Sequence, residues 1–143
     1  MTSPATLTPS QVQTYLAEIF PQFDSTITHI DRNGATIQLP TDARHLRPGG
    51  TVSGPTLMAL ADSAMYVAIL GNLGKVALAV TTNLNINFYR KPEPGILRAE
   101  ARILKMGSRL AVGDVLIYNE GVDQSVAHVT ITYSIPPDSK TPQ

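Results

Sequence analysis

One stretch restricts the possible folds more than any other. From Pro48 to Gly74 the chain carries a single formally charged side chain, Asp62, and its apolar residues occur on every side of a helical repeat. The run "GPTLMALADSAMYVAILG" is preceded by Ser53 and closed by Gly71 and Gly74. That pattern predicts a helix beginning near Pro55, capped by Ser53 or Gly54 and ending around Gly71 to Gly74. A helix apolar on nearly all sides has no face to give to water, so a sheet must wrap it, and a second subunit is expected to cover the remainder.

The flanking sequence supplies that sheet. "TPSQVQTYLAEIF" opens with Thr8 as N-cap, Pro9 at the first helical position and Gln11 completing a capping box, and it places Val12, Tyr15, Leu16, Ile19 and Phe20 on one face. "STITHI" and "ATIQLP" flank "DRNG", where Asn33-Gly34 signals a hairpin turn. After the apolar helix the period changes to two. "VALAVTTNLNINFY" alternates, with Val80, Thr82, Leu84, Ile86 and Phe88 on one side and Thr81, Asn83, Asn85 and Asn87 on the other. Three further strands, "ILRAEARILK", "RLAVGDVLIYN" and "QSVAHVTITYSI", are separated by turn-forming segments. The expected architecture is α+β: a helix over about 8–20, a core over about 25–135 in which an antiparallel sheet wraps one long central helix, four consecutive strands pairing in series, and a loose tail over 136–143. The 143 residues suit one domain spanning 1–143.

Composition removes several functional classes. Eleven basic and eleven acidic residues give no electrostatic reason to expect nucleic acid or an anionic membrane as partner. There is no cysteine, which excludes disulfides, thiolate zinc sites and thiol nucleophiles. His29, His45 and His128 lack metal-ligand spacing, so neither a metal nor another cofactor is expected. Ser53 and Ser63 are in no recognisable nucleophile elbow, which argues against a serine hydrolase. The longest apolar stretch, roughly 55–70, is expected to be too short for a membrane span of ~20 residues, and the N-terminus has no signal-peptide pattern. A soluble cytoplasmic protein is the expectation.

"GGTVSGPTLMALADSAMYVA", followed by "AVTTNLNINFYRKPEPG", "MGSRLAVGDVLIYNEG" and "SVAHVTITYSI", resembles the hotdog-fold thioesterases of the phenylacetate-pathway type over about residues 25–135. In that family the helix follows a "GxxHGG" turn, and an acid nine residues after the His is general base or nucleophile on an acyl-CoA thioester. Ser53 occupies the His position, and nine residues on stands Asp62. Pro55 replaces the second Gly of the motif, and Arg47 stands where relatives often have Asn. Thr81 matches a strand position that often carries a hydroxyl orienting the attacking water. The resemblance also implies a homodimer, often doubled to a tetramer.

The residues fit such chemistry on physical grounds. A carboxylate in an apolar helix is costly unless hydrogen-bonded, so Asp62 needs a partner such as Ser63, Tyr66, Thr81 or Arg47, or a catalytic reason. The helix N-terminus offers the Gly54 N–H and a positive dipole end to a developing oxyanion, with Thr56, the Ser53 hydroxyl or Arg47 as helpers. Pro55 cannot donate. Gly54 and Asp62 are eight residues apart, roughly 12 Å along one helix, whereas base and oxyanion donor must meet at one carbon. Two antiparallel helices in a symmetric dimer would bring Asp62 of one chain to Gly54 of the other. Leu57, Met58, Met65 and Tyr66 are candidates for the acyl pocket. Thr81 lies on the polar side of its strand, so its participation requires a bulge or an edge position. Arg90, Lys91, Lys105 and Arg109 border strand ends and are candidates for nucleotide phosphates. Two alternatives remain: an acyl-CoA-binding hotdog domain without turnover, suggested by Ser53, Pro55 and Arg47, and a hotdog hydratase or dehydratase using His45 with Asp62.

Overall fold

The structure, a computed structural model, describes residues 5–137. The first helix, α1 (Pro9–Ile19), starts as its sequence dictates. The Thr8 side chain accepts the Gln11 N–H, and the Gln11 side chain accepts the Thr8 N–H. Val12 and Leu16 are fully buried, while Ile19 and the following Phe20 are 40% and 37% exposed, so one apolar face serves the core at one end and an open surface at the other. The Gln13 amide ties α1 to the next strand, donating to the Ser25 carbonyl (3.0 Å) and accepting the Ile27 N–H (2.9 Å).

Strands β1 (Thr26–Asp31) and β2 (Gly34–Pro40) form the expected hairpin, but its two turn residues are Arg32 and Asn33, and Gly34 pairs with Asp31. The Asp31 carboxylate sets this register by accepting the N–H groups of Asn33 (2.7 Å) and Gly34 (3.0 Å). Gly34 is required for a different reason: a Cβ there would lie 1.9 Å from the Ala101 carbonyl oxygen of the neighbouring strand.

The second helix, α2 (Gly54–Leu73), has Ser53 as N-cap and ends at Gly74, whose φ of 94° an L side chain rarely adopts. Strands β3 (Val80–Phe88), β4 (Ile96–Met106), β5 (Leu110–Asn119) and β6 (Ala127–Ser134) complete one antiparallel six-stranded sheet in the order β1-β2-β4-β5-β6-β3. Serial pairing of the last four strands therefore fails at its first step. The segment joining β3 to β4 contains Pro92 and Pro94 and is too long for a tight hairpin. Accordingly β4 joins β2, and β3 pairs with β6 at the far edge.

Ten residues of α2 are buried, and its alanines 61, 64 and 68 let the helix lie close against the sheet. By length and composition α2 is sufficient to cross a membrane, with 20 residues and a mean hydropathy of 1.4, contrary to the expectation from the sequence. Its burial by the sheet accounts for that hydrophobicity within the fold. The N-terminal part of α2 is less covered: Pro55, Met58 and Ala59 are exposed. Of the expected loose tail, residues 138–143 lie outside the described residues.

Candidate active site

Asp62 sits in the third turn of α2 and is half-buried rather than enclosed. Two hydroxyls converge on its Oδ1. Thr81 on β3 donates to it, and Tyr133 on β6 lies 2.8 Å from it and 3.0 Å from the main-chain carbonyl oxygen of the same residue. Oδ2 has no partner among the described residues, and no buried side-chain oxygen or nitrogen among them lacks one, so Oδ2 reaches solvent. Of the other partners expected for Asp62, Tyr66 donates its hydroxyl to the Ala77 carbonyl (2.8 Å), and Arg47 lines a separate cavity.

The awkward parity of Thr81 is removed by a bulge. Along β3, Leu84 and Ile86 pack against the core opposite Ile131 and Val129, and unbroken alternation would place Thr82 beside Tyr133. The register shifts between Thr81 and Asn83, so Thr81 is the partner of Tyr133 and Thr82 is the extra residue. β3 is also an edge strand, so both conditions the sequence imposed on Thr81 are met.

Tyr133 was missed by sequence reasoning. Its signal is the alternation of β6, which places it inward with Val129 and Ile131, where a tyrosine hydroxyl must find a partner. Burial above all, and then the nearby Asp62 charge, push its phenol well above the ordinary tyrosine range. Its ring stacks on Tyr66, with centroids 6.1 Å apart and planes 14° from parallel. These two rings, Ile19, Phe20, Leu78 and Val80 line a cavity of ≈ 450 Å³ into which Asp62 opens. The exposed end of α1 thus forms part of its wall.

The N-terminus of α2 opens elsewhere. Gly54, Leu57, Phe88 and Tyr89 line a second cavity of ≈ 400 Å³, bordered by Arg47, Arg90 and Lys91. The Gly54 N–H has no acceptor among the described residues. The Ser53 hydroxyl accepts the Thr56 N–H (3.3 Å) and lies 2.8 Å from the Thr56 hydroxyl, so two of the three expected helpers are engaged in capping the helix and only Arg47 borders the cavity without that task. A Cβ at residue 54 would stand 3.2 Å from Phe88 Cζ, which explains the smallest residue at this approach. Within one chain, then, Asp62 and Gly54 share a helix and face different cavities. Lys105 and Arg109 lie outside both.

The three histidines are engaged separately: His29 with Asp31 (2.7 Å), His128 with Asp114 (3.0 Å), and His45 through Nδ1 with the Asp42 N–H (2.9 Å). His45 lines a third cavity with Ser53 and Ser63, so it does not join Asp62 within the chain as a hydratase pair would require.

This arrangement is a hotdog fold carrying a carboxylate on its central helix and a free amide at the start of that helix. The Thioesterase superfamily description matches residues 49–126. A crystal structure of a provisionally assigned thioesterase from Silicibacter sp. TM1040 is 46% identical, with a TM-score of 0.86 over 96% of this chain and 97% of that one. A variant of the phenylacetic acid degradation protein of Thermus thermophilus is 26% identical, with a TM-score of 0.70 over 83% of this chain and 99% of that one. A provisionally named esterase of Saccharolobus solfataricus is 28% identical over 102 residues, 71% of this chain and 67% of that protein. The chain belongs to the thioesterase superfamily, and its relatives place it among thioester hydrolases.

Proposed function

We propose that this chain hydrolyses acyl-CoA thioesters to the free acid and CoA, at sites completed by two copies of the chain. The observation that carries the reading is the Asp62 carboxylate, held through one oxygen by Thr81 and Tyr133 with the other open to a largely apolar cavity. In this reading Oδ2 of Asp62 takes a proton from water as the water oxygen bonds to the thioester carbon, or attacks that carbon itself to give an acyl-enzyme anhydride that water then opens. The carbonyl oxygen becomes an oxyanion facing the Gly54 N–H of a second protomer and the positive end of its helix. Collapse breaks the C–S bond: on the first route the thiolate takes the proton held by Asp62, and on the second it leaves as the anhydride forms and is neutralised by the proton released when water opens the anhydride.

A symmetric dimer is favoured by two features. The base and the amide face different cavities of one chain, and the edge strand β3 with its approaches exposes Leu78, Val80, Phe88 and Tyr89, each more than half exposed. Such a dimer, alone or doubled to a tetramer, would cover the open N-terminal part of α2. Arg47, Arg90 and Lys91 beside Gly54 support a phosphorylated carrier for the acyl group.

The test is release of free thiol from short-chain, medium-chain and aryl acyl-CoAs, with Asp62→Asn as control. Turnover by the wild type and a loss of at least about a hundredfold in Asp62→Asn are expected, the scale of removing a general base. Binding of acyl-CoA with equally slow release by both proteins would instead identify a ligand-binding domain.

A further inference from the structure

We propose that Tyr133 is a positioning residue of this reaction, fastening one oxygen of Asp62 together with Thr81 so that the other oxygen is presented to the thioester. The inference rests on the hydrolase reading above and assigns a separate role to one of the two hydroxyls that hold its carboxylate.

The phenol has one proton and two acceptors within reach, Oδ1 at 2.8 Å and the main-chain oxygen at 3.0 Å, and both belong to Asp62. Whichever it bonds at a given moment, Tyr133 grips the same residue. The ring cannot follow a moving carboxylate, because Tyr133 is 3% exposed and stacked on Tyr66. Tyr66 is in turn held through its hydroxyl by the Ala77 carbonyl, on the segment leading into β3. Thr81 is fixed opposite Tyr133 by the β3–β6 ladder. With the phenol on Oδ1, the shorter of its two contacts, that oxygen is held from two paired strands, one donor on each, and the side chain of Asp62 can rotate only by breaking both bonds. A carboxylate so fixed keeps Oδ2 in one place, and transfer to or from a reacting centre depends steeply on such placement. Burial, and then the Asp62 charge, keep the phenol protonated, so it remains a donor wherever the carboxylate is ionised.

A buried tyrosine that merely satisfied its hydroxyl would affect stability and leave turnover alone. Tyr133→Phe removes one oxygen and keeps the ring and its stack. In steady-state thiol release this variant is expected to lose about 10- to 100-fold in kcat, with KM changed less than about twofold, the scale of a displaced catalytic group. In an Asp62→Asn background the same change should have no further effect. Replacement of Tyr133 by 4-aminophenylalanine, which restores a donor at that position, should recover part of kcat and gives a second variant with the same ring. Wild-type kcat in Tyr133→Phe, or an equal loss with and without the Asp62 carboxylate, overturns the role. A wild-type protein that hydrolyses no thioester in the panel overturns the hydrolase reading and this role with it, an outcome distinct from active wild type with unaltered Tyr133→Phe.

Discussion

Thr81 and Tyr133 face each other across the β3–β6 ladder, and the one-residue bulge after Thr81 brings both hydroxyls to the same oxygen of Asp62. Neither residue is near Asp62 in sequence. The pairing of an edge strand with the last strand of the chain is what assembles the carboxylate's surroundings, so the site depends on tertiary register as much as on the helix that carries the acid.

That register makes Thr81 sensitive to chemistry rather than size. Thr81→Val keeps the β-branched shape and loses the donor, and should lower kcat about tenfold or more, in line with loss of a hydrogen bond to a charged group. Thr81→Ser retains the hydroxyl and should stay within a few-fold of wild type. Thiol-release kinetics on the two variants check this, and equal activity of Val and wild type would remove Thr81 from the site.

Ser53 is expected to behave differently despite occupying a motif position. Its hydroxyl caps α2 through the Thr56 N–H. Ser53→Ala should destabilise the fold by about 1 kcal/mol, the usual cost of losing an N-cap side chain, while the folded protein keeps kcat within about threefold. Chemical denaturation read beside the kinetics separates the two effects. A large loss of kcat without a loss of stability would return the hydroxyl to the oxyanion site.

What the sequence made legible was local. The Thr8–Gln11 capping box, the limits of α2 and the isolation of Asp62 all follow from neighbours within a few residues, and the structure has each of them. The β3 bulge could be read only as a contradiction between the polar face holding Thr81 and the site it was expected to reach, because a bulge is defined by the partner strand. Tyr133 was hidden because an inward tyrosine reads as core. The order of strands was misread because it depends on the connection through Pro92 and Pro94 rather than on any strand's own pattern.

The cations beside Gly54 lead to a prediction about the carrier. Arg47, Arg90 and Lys91 border the cavity into which the free amide opens. Lys91→Ala and Arg47→Ala should raise KM for a CoA thioester several-fold, and more at low salt than at high salt, since exposed charges are screened. An N-acetylcysteamine thioester, which has no phosphate, should show no such change. Equal effects on both substrates would mean that these side chains shape the cavity without contacting a phosphate.

On the outer face of the sheet, Asp114 predicts an acid-sensitive contribution to stability. Arg102 donates to both of its oxygens (3.1 and 3.0 Å), and His128 Nε2 lies 3.0 Å from Oδ2. Burial pushes this carboxyl upward, but the hydrogen bonds and charges of Arg102 and His128 outweigh it and hold the group below the usual carboxylate range. A depressed folded value means that the unfolded chain binds the proton more readily. The stabilisation is therefore present above the unfolded value near 4 and is lost as pH falls through the folded one. Asp114→Asn should lower Tm at pH 7, with the gap to wild type closing as pH falls below about 4. Thermal unfolding across pH measures it, and a gap independent of pH would assign the loss to packing.

The two-chain site has the most direct test, because its halves can be disabled on separate copies. Asp62→Asn removes the carboxylate. Gly54→Pro removes the N–H at the first position of a helix, where proline is tolerated, and Ser53 already has the extended backbone (φ −72°, ψ 151°) that a residue before proline prefers. The added ring meets Phe88, which a Cβ at residue 54 would approach to 3.2 Å, and precedes Pro55, so the control is that purified Gly54→Pro is folded and dimeric by circular dichroism and size-exclusion chromatography. Each variant alone should be nearly inactive. After random exchange of equal amounts, half the dimers are mixed, and each mixed dimer holds one complete site, with Asp62 from one chain and Gly54 from the other. Activity should therefore return to about a quarter of wild type. If base and oxyanion donor act within a single chain, no mixed dimer contains a complete site, and mixing restores nothing.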